Sequence, residues 1–180
     1  VVRLTAEHEH PRRLRIERNI RSLETLALAR LADGMDALTA KDSEKASAYF
    51  ADGDITEKRF KRARTAAELE FEPVMARFRR SEWDSAFGAS GTMRSVSDVL
   101  QARGAPNGDI TREGVDWLVE ECLRAGNVTR LKLPGLAGDR QEILPGGLAI
   151  IVSAFQMLGI ESMRVADGAL REGLLYDLVG

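Results

Sequence analysis

Apolar residues recur with two different periods along this chain, and the periods separate predicted helices from predicted strands. Four stretches have a helical period, with an apolar side chain every three or four residues. The positions are Phe60, Ala63, Ala67 and Phe71; Val96, Val99 and Leu100; Val115, Leu118, Val119 and Cys122; and Leu148, Ile151, Val152, Phe155 and Leu158. The last stretch leaves no wide polar face, which is typical of an enclosed helix, and we expect this helix, residues 145–159, to pack against the sheet. Pro73 predicts a kink within the first stretch, or two helices that meet there.

Two shorter stretches alternate apolar and polar side chains, as strands do. Residues 83–88 and 162–166 are the predicted strands, and a glycine-containing loop and a helix follow each of them. The two strand–loop–helix units span residues 83–102 and 161–178. Short strands that alternate with apolar helices predict an α/β fold, in which helices flank a mixed sheet.

Residues suited to helix starts support these assignments. Asp54 is followed three residues later by Glu57, which resembles a capping box. Ser90 or Thr92 is placed to cap the helix after the first strand. Pro145 suits the first turn of the most apolar helix, because an N–H missing there costs no hydrogen bond.

Polar residues after the two predicted strands are candidate ligand contacts. Ligands of open α/β sheets gather at the carboxyl ends of the strands. Asp167, Arg171 and Glu172 would then line the same crest as Ser90 and Thr92. Turn chemistry explains either loop without a ligand. A pairing of Arg171 with Asp167, which would fix the strand–helix junction, is the structural alternative.

Gly146 and Gly147 follow Pro145 at the start of the most apolar helix and expose backbone N–H groups. A helix start with free N–H groups can hold an anion, because it carries unpaired donors and a partial positive charge. Close backbone packing explains the two glycines equally well. The residue types leave both interpretations open.

Composition sets the class of protein. The chain has 180 residues, of which 44% are hydrophobic and 30% charged, and its net charge is −2. This balance is typical of a globular domain, and no global basic field indicates nucleic acid. No apolar run is long enough to span a bilayer. A single cysteine, Cys122, excludes an internal disulfide, and its apolar helix face predicts a buried thiol in a cytoplasmic protein.

Three motifs, in this order, resemble the bacterial Ppx/GppA phosphatase family of exopolyphosphatases and guanosine pentaphosphate phosphohydrolases. They are "GASGT", "GLAGDRQEILPGGLAI" and "VADGALREGLLYDL". The resemblance runs from about residue 47 to Gly180, so residues 47–180 are predicted as one domain. Residues 1–46 are a separate segment, helical or poorly ordered. The resemblance implies an actin-like (ribonuclease H-like) ATPase fold and identifies this chain with the second of two such domains.

The resemblance also implies which residues bind substrate. Gly88, Ser90, Gly91, Thr92 and Arg140 would face a phosphate chain or a guanosine. The expected substrate-binding set is completed by Gly146, Gly147, Asp167 and Arg171. A guanidinium suits this role because its fork matches phosphate oxygens.

The family's two glycine-rich phosphate loops and its catalytic glutamate, which belong to the first domain, have no counterpart in this sequence. We therefore expect a partial protein that supplies one wall of the cleft and is inactive alone. The resemblance implies Mg²⁺ as cofactor, with its ligands outside this chain, and the first catalytic domain as partner. Self-association into a homodimer would be one way to cover an exposed cleft wall. The alternatives are a non-catalytic phosphate- or nucleotide-binding module, and an actin-like interaction protein that uses ATP.

Overall fold

The computed structural model describes residues 2–5, 46–75, 85–88 and 90–165. In chain order its strands and longer helices are β1 (Val2–Thr5), α1 (Glu57–Met75), β2 (Ser85–Gly88), α2 (Gly91–Ala102), β3 (Ile110–Thr111), α3 (Arg112–Ala125), α4 (Leu144–Leu158) and β4 (Ser162–Val165). Short 3₁₀ turns cover Pro106–Gly108, Val128–Arg130 and Gly138–Arg140.

The strands form one mixed sheet in the order β1-β2-β4-β3. β2 and β4 are parallel, with Ala86 opposite Met163 and Gly88 opposite Val165, whereas β1 and β3 pair antiparallel at the two edges. The side chains of Ala86, Met163 and Ile110 are buried in the core. The structure thus confirms an α/β fold with a mixed sheet flanked by helices, and it contains both predicted strands.

The core is built around α4, whose sequence has no wide polar face. Leu148 is 0% exposed and Phe155 is 1% exposed. The main neighbours of α4 are α1 and α3. The expectation that this helix packs against the sheet is therefore corrected, because its apolar surface is covered chiefly by other helices. The hydroxyl of Ser153 donates to the carbonyls of Ala149 and Arg64, and the second bond joins α4 to α1.

Both ends of α4 are fixed. Its first turn contains Pro145, as predicted, and it ends at Gly159, which has a φ of 65°. Nη2 of Arg112 donates to the carbonyls of Phe155 (2.9 Å) and Ile160 (3.2 Å), which joins the start of α3 to the C-terminal end of α4.

The start of α1 differs from the predicted capping box. Thr56 accepts the hydrogen bond from the N–H of Arg59 at 3.3 Å, so it takes the capping position. Asp54 instead accepts from the side-chain amide of Asn127 at 2.9 Å and pairs with that residue as an isolated β-bridge. A capping residue lies immediately before its helix. The prediction was wrong because Asp54 is needed for a tertiary contact that local spacing does not reveal.

Two further predictions about helices and the N-terminal segment are refined. α1 continues through position 73 as one helix over Glu57–Met75, so Pro73 does not divide two helices within the described residues. β1 lies within the segment for which the sequence predicts helix or poor order. Its four residues alternate apolar and polar side chains, but the stretch is too short to be recognised as a strand. The remainder of residues 1–45, and the helix expected after 168, lie outside the described residues.

Leu148→Ala and Phe155→Ala should each lower the free energy of unfolding by about 2–5 kcal/mol, because each would leave a cavity in the core around α4. Leu69→Ala is the matched control. Leu69 is 63% exposed on α1, so its truncation should change stability by less than about 0.5 kcal/mol. Urea titrations followed by far-UV circular dichroism measure all three changes. Equal losses for Leu148→Ala and Leu69→Ala would contradict the burial of α4.

Asp52 and Arg59 form a bidentate ion pair beside the start of α1, in which Nη2 lies 2.6 Å from Oδ2. The hydrogen bond from Arg59, assisted by the N–H of Asp54, lowers the pKa of Asp52 to about 2. A carboxylate whose pKa is lower in the folded chain stabilises it at pH values above the unfolded pKa. That contribution disappears as the pH falls from about 4 towards 2.

The urea midpoint of the unsubstituted chain should therefore exceed that of Asp52→Asn at neutral pH, and the two should converge as the pH falls below about 4. Asp116→Asn, the same change at an exposed position of α3, controls for the loss of one charge. A difference between the unsubstituted chain and Asp52→Asn that stays constant from pH 7 to pH 2 would contradict the role of the ion pair.

Candidate functional site

The start of α2 follows directly from the end of β2 and contains three of the predicted site residues. Ser90 is the N-cap, and its hydroxyl accepts the N–H of Met93 at 3.2 Å. Gly91 and Thr92 form the first turn. Gly88 is buried at the end of β2, where a Cβ would lie 2.6 Å from Cγ of Met93. Gly88 therefore serves packing between the sheet and α2.

Arg140 lies beside this helix start although it is remote in sequence. It ends the 3₁₀ turn Gly138–Arg140, and its side chain is 41% exposed. A Cβ at Gly91 would lie 3.1 Å from Nη1, 3.6 Å from Cζ and 3.8 Å from Nη2 of Arg140. The guanidinium therefore rests against the backbone of the first turn of α2. On its other side, Nε is 3.5 Å from a carboxylate oxygen of Asp139.

The loop that carries Arg140 is anchored to α2 at a second point. Gly135 has a φ of +83°, and a Cβ there would lie 2.5 Å from the carbonyl oxygen of Asp98. An L-residue with a side chain would meet both a strained conformation and a backbone clash at this position. Leu131, at the start of the same loop, is 1% exposed. The close approach of Gly135 holds the 131–140 segment against α2, and the burial of Leu131 anchors the start of the segment in the core.

The start of α4 meets the start of α2. A Cβ at Gly147 would lie 2.3 Å from Cγ2 of Thr92, and one at Gly146 would lie 2.8 Å from the backbone nitrogen of Ser47. The N–H of Gly147 donates to the carbonyl of Ile143 at 3.1 Å. Both glycines are buried. Their geometry supports close packing, the structural alternative left open by the sequence, and their role as anion donors stays a prediction.

The structure therefore brings five predicted site residues together: Ser90, Gly91, Thr92, Arg140 and Gly147. They come from the starts of two helices and from one 3₁₀ turn. Because β2 and β4 are parallel and Gly88 pairs with Val165, the two strands end at the same edge of the sheet. Asp167, Arg171 and Glu172 lie outside the described residues, so their position at this edge stays a prediction.

Cys122 takes no part in this site. It is 0% exposed, and burial raises the pKa of its thiol to about 12, with a smaller contribution from Glu121. A thiol with so high a pKa is almost entirely protonated at neutral pH, whereas a nucleophile must be a thiolate. The structure confirms the prediction of a buried core thiol.

The acidic side chains offer no clear place for Mg²⁺. In the part of the chain that the structure describes, no three His, Cys, Asp or Glu side chains converge. Asp139, the carboxylate beside Arg140, pairs with the guanidinium. Mg²⁺ is usually held by one or two carboxylates together with substrate phosphates. These residues do not supply a Mg²⁺ site of their own, and Mg²⁺ remains a prediction that rests on the resemblance.

An open cleft of about 770 Å³ is bordered by residues 47–48, 50–53, 127–129 and 142–143. None of the predicted site residues lines it. Its wall includes the carboxylate of Glu142, which would repel a phosphate group, and that of Asp52, which is already paired with Arg59. We therefore assign the candidate anion site to the helix starts and Arg140, which the structure brings together, and not to this cleft.

Sequence reasoning missed two features near the site. Asp139 holds the Nε side of Arg140, and its position immediately before Arg140 was the available signal. Asn127 joins the turn before α1 to the end of α3 through Asp54, and its side-chain oxygen also accepts from the N–H and hydroxyl of Thr129. No local pattern reveals this second contact, because its partners are distant in sequence.

Over the described ranges, no helix is both long and apolar enough to cross a bilayer.

Relatives of known name share most of this sequence. A guanosine-5'-triphosphate,3'-diphosphate pyrophosphatase of Aeromonas hydrophila is 40% identical over 132 residues, which are 73% of this chain and 26% of that protein. The protein of the same name from Aeromonas salmonicida is 39% identical over 132 residues, again 73% of this chain and 26% of the relative. A Haemophilus influenzae protein assigned by name to the exopolyphosphatases is 40% identical over 133 residues, or 74% of this chain and 41% of that protein.

These alignments show how much of a relative this chain represents. The chain spans between about a quarter and two fifths of the length of these relatives. The model of the Ppx/GppA phosphatase family matches residues 44–180, which include every predicted site residue. The match covers well over half of the sequence. The chain belongs to the Ppx/GppA phosphatase family.

Proposed function

We propose that this chain forms one wall of the substrate cleft of a phosphohydrolase that cleaves terminal phosphoanhydrides, and that it holds the phosphate chain through Arg140 and the first turn of α2. The observation that carries the proposal is the contact between the Arg140 guanidinium and Gly91. A cation and a helix start thus meet at one exposed point. Both favour phosphate oxygens, because the guanidinium donates paired hydrogen bonds and the helix start carries a partial positive charge.

The geometry gives each residue a separate task. The Nη atoms of Arg140 lie towards Gly91, whereas Asp139 engages Nε. Arg140 can therefore donate its Nη hydrogens to a phosphate while Asp139 holds the guanidinium. Ser90 serves as the cap that ends the 88–90 connection and begins α2. Thr92, packed on Gly147, couples this start to the buried helix α4.

The names of the relatives support the substrate class. They describe a guanosine-5'-triphosphate,3'-diphosphate pyrophosphatase and an exopolyphosphatase. Both activities break a phosphoanhydride bond, so the shared requirement is a site that holds successive negatively charged phosphates. The tasks proposed for Arg140 and the α2 start meet that requirement and require no particular base or sugar.

The chemical step would need a second wall. In our proposal, as the resemblance implies, an actin-like first domain supplies the glutamate that activates water for attack on the terminal phosphorus. Mg²⁺, where bound with that domain, would offset charge on the phosphoryl oxygens. This chain would bind and orient the phosphates, which contributes to rate only when the reacting groups are all in place.

A non-catalytic phosphate-binding module is the second candidate. Such a module would bind the same anions through the same residues. The two candidates differ in whether the chain increases turnover when a first domain is supplied.

Arg140→Ala should weaken binding of polyphosphate by about 1.5–3 kcal/mol, roughly 10- to 150-fold, because a charge-assisted hydrogen-bonded pair is lost. The melting temperature should change little, since an exposed surface ion pair contributes little to stability. Isothermal titration at fixed salt measures the affinity. Arg130→Ala is the matched control, because Arg130 also ends an exposed 3₁₀ turn. Equal affinities for Arg140→Ala and Arg130→Ala would exclude Arg140 from the site.

The purified chain alone should release no phosphate above background from polyphosphate or guanosine pentaphosphate in the presence of Mg²⁺, because one wall binds without supplying a base. A full-length relative assayed in parallel is the positive control. Adding an expressed first domain of that relative should distinguish the enzyme from the module, since turnover above that of the first domain alone supports the enzyme. Turnover by this chain alone near that of the relative would contradict the proposed division.

A further inference from the structure

Gly91 occupies a position where the backbone does not require glycine. It is the first residue of α2 and is not among the residues with positive φ. Alanine favours helices over glycine by about 1 kcal/mol within a helix. Gly91 is also exposed, so the protein interior does not force a small residue. The missing Cβ does allow one close contact.

The contact is with a single side chain. The three nearest atoms to a Cβ at Gly91 are all guanidinium atoms of Arg140, at 3.1, 3.6 and 3.8 Å. A separation of 3.1 Å between a carbon and Nη1 is shorter than an ordinary van der Waals contact. An alanine at this position would therefore move the guanidinium by a few tenths of an ångström or rotate it away. Because Arg140 is flexible and exposed, the fold itself would tolerate this movement.

Asp139, the residue before Arg140, forms an ion pair with the guanidinium, with Nε at 3.5 Å from its carboxylate. Both side chains are exposed, at 41% for Arg140 and 75% for Asp139, so the ion pair contributes little to folding. Nε lies beside the carboxylate, and the Nη atoms lie against the first turn of α2.

We infer that Gly91 is a positioning residue for phosphate recognition: its missing Cβ lets the Arg140 guanidinium lie against the first turn of α2, so that both address the same phosphate group. The inference rests on the proposed function and adds a specific task for Gly91 within it. Gly91 acts through Arg140, and not as a direct ligand of the phosphate chain.

The test combines substitutions at Gly91 and Arg140 in the full chain and uses polyphosphate of defined length as the probe. Gly91→Ala should weaken binding roughly three- to tenfold and should leave the melting temperature unchanged or slightly higher. In a chain that already carries Arg140→Ala, Gly91→Ala should cause no further loss. Gly138→Ala is the matched control, since a Cβ there meets no atom within 4 Å, and its affinity should equal that of the unsubstituted chain.

Each other outcome overturns a different statement. If Arg140→Ala binds as tightly as the unsubstituted chain, the proposed function fails and the inference fails with it. If Arg140→Ala weakens binding but Gly91→Ala does not, the proposed function stands and the inference is wrong. If Gly91→Ala weakens binding equally with and without Arg140, Gly91 contacts the phosphate chain directly and does not act through Arg140. A lower melting temperature for Gly91→Ala would also contradict the inference, because a positioning role leaves the fold intact.

Discussion

The described structure depends on the burial of most of α4. A helix with no wide polar face must be largely enclosed, and α1 and α3 are the main elements that cover this one. The interior allows little error in their spacing, because protein cores are packed as densely as crystals. The hydroxyl of Ser153 donates to the carbonyl of Arg64 in α1, and Arg112 donates to the carbonyl of Phe155 near the C-terminal end of α4. The position of α4 is therefore fixed along its whole length, and the elements that touch its ends inherit that position.

The candidate site inherits its geometry through Gly147. Because Gly147 has no side chain, Thr92 can approach the first turn of α4, and the start of α2 is placed against a buried element of the core. The loop that carries Arg140 is held against α2 at Gly135, and its start is buried at Leu131. The guanidinium is exposed, but the backbone on both sides of its contact with Gly91 is fixed. Such preorganisation reduces the entropy that a flexible arginine would lose on binding an anion.

Local rules predicted much of this arrangement from the sequence. Helical spacing identified the buried faces of α1 to α4, alternation identified β2 and β4, and the small polar residue before Gly91 proved to be the cap. The errors have one cause. Asp54 does not cap α1 as predicted, because its carboxylate accepts a hydrogen bond from Asn127. The pairing of β1 with β2 likewise joins segments that are far apart in sequence. Tertiary contacts between remote segments override local preferences, and a single sequence does not display them. The contact of Arg140 with Gly91 belongs to the same class, although the resemblance had placed both residues in the site.

The glycines of the site show that one residue type serves two opposing purposes. At Gly146 and Gly147, neighbouring atoms of the interior occupy the space that a side chain would need. A larger residue there would overpack the core and destabilise the fold. At Gly91, the exposed guanidinium of Arg140 occupies the space that a side chain would need. A larger residue would displace the guanidinium and leave the fold intact. Stability and recognition are therefore assigned to different glycines of one cluster. In our proposal, Arg140 binds a phosphate oxygen while its guanidinium stays against Gly91, and the packing of α4 is not disturbed.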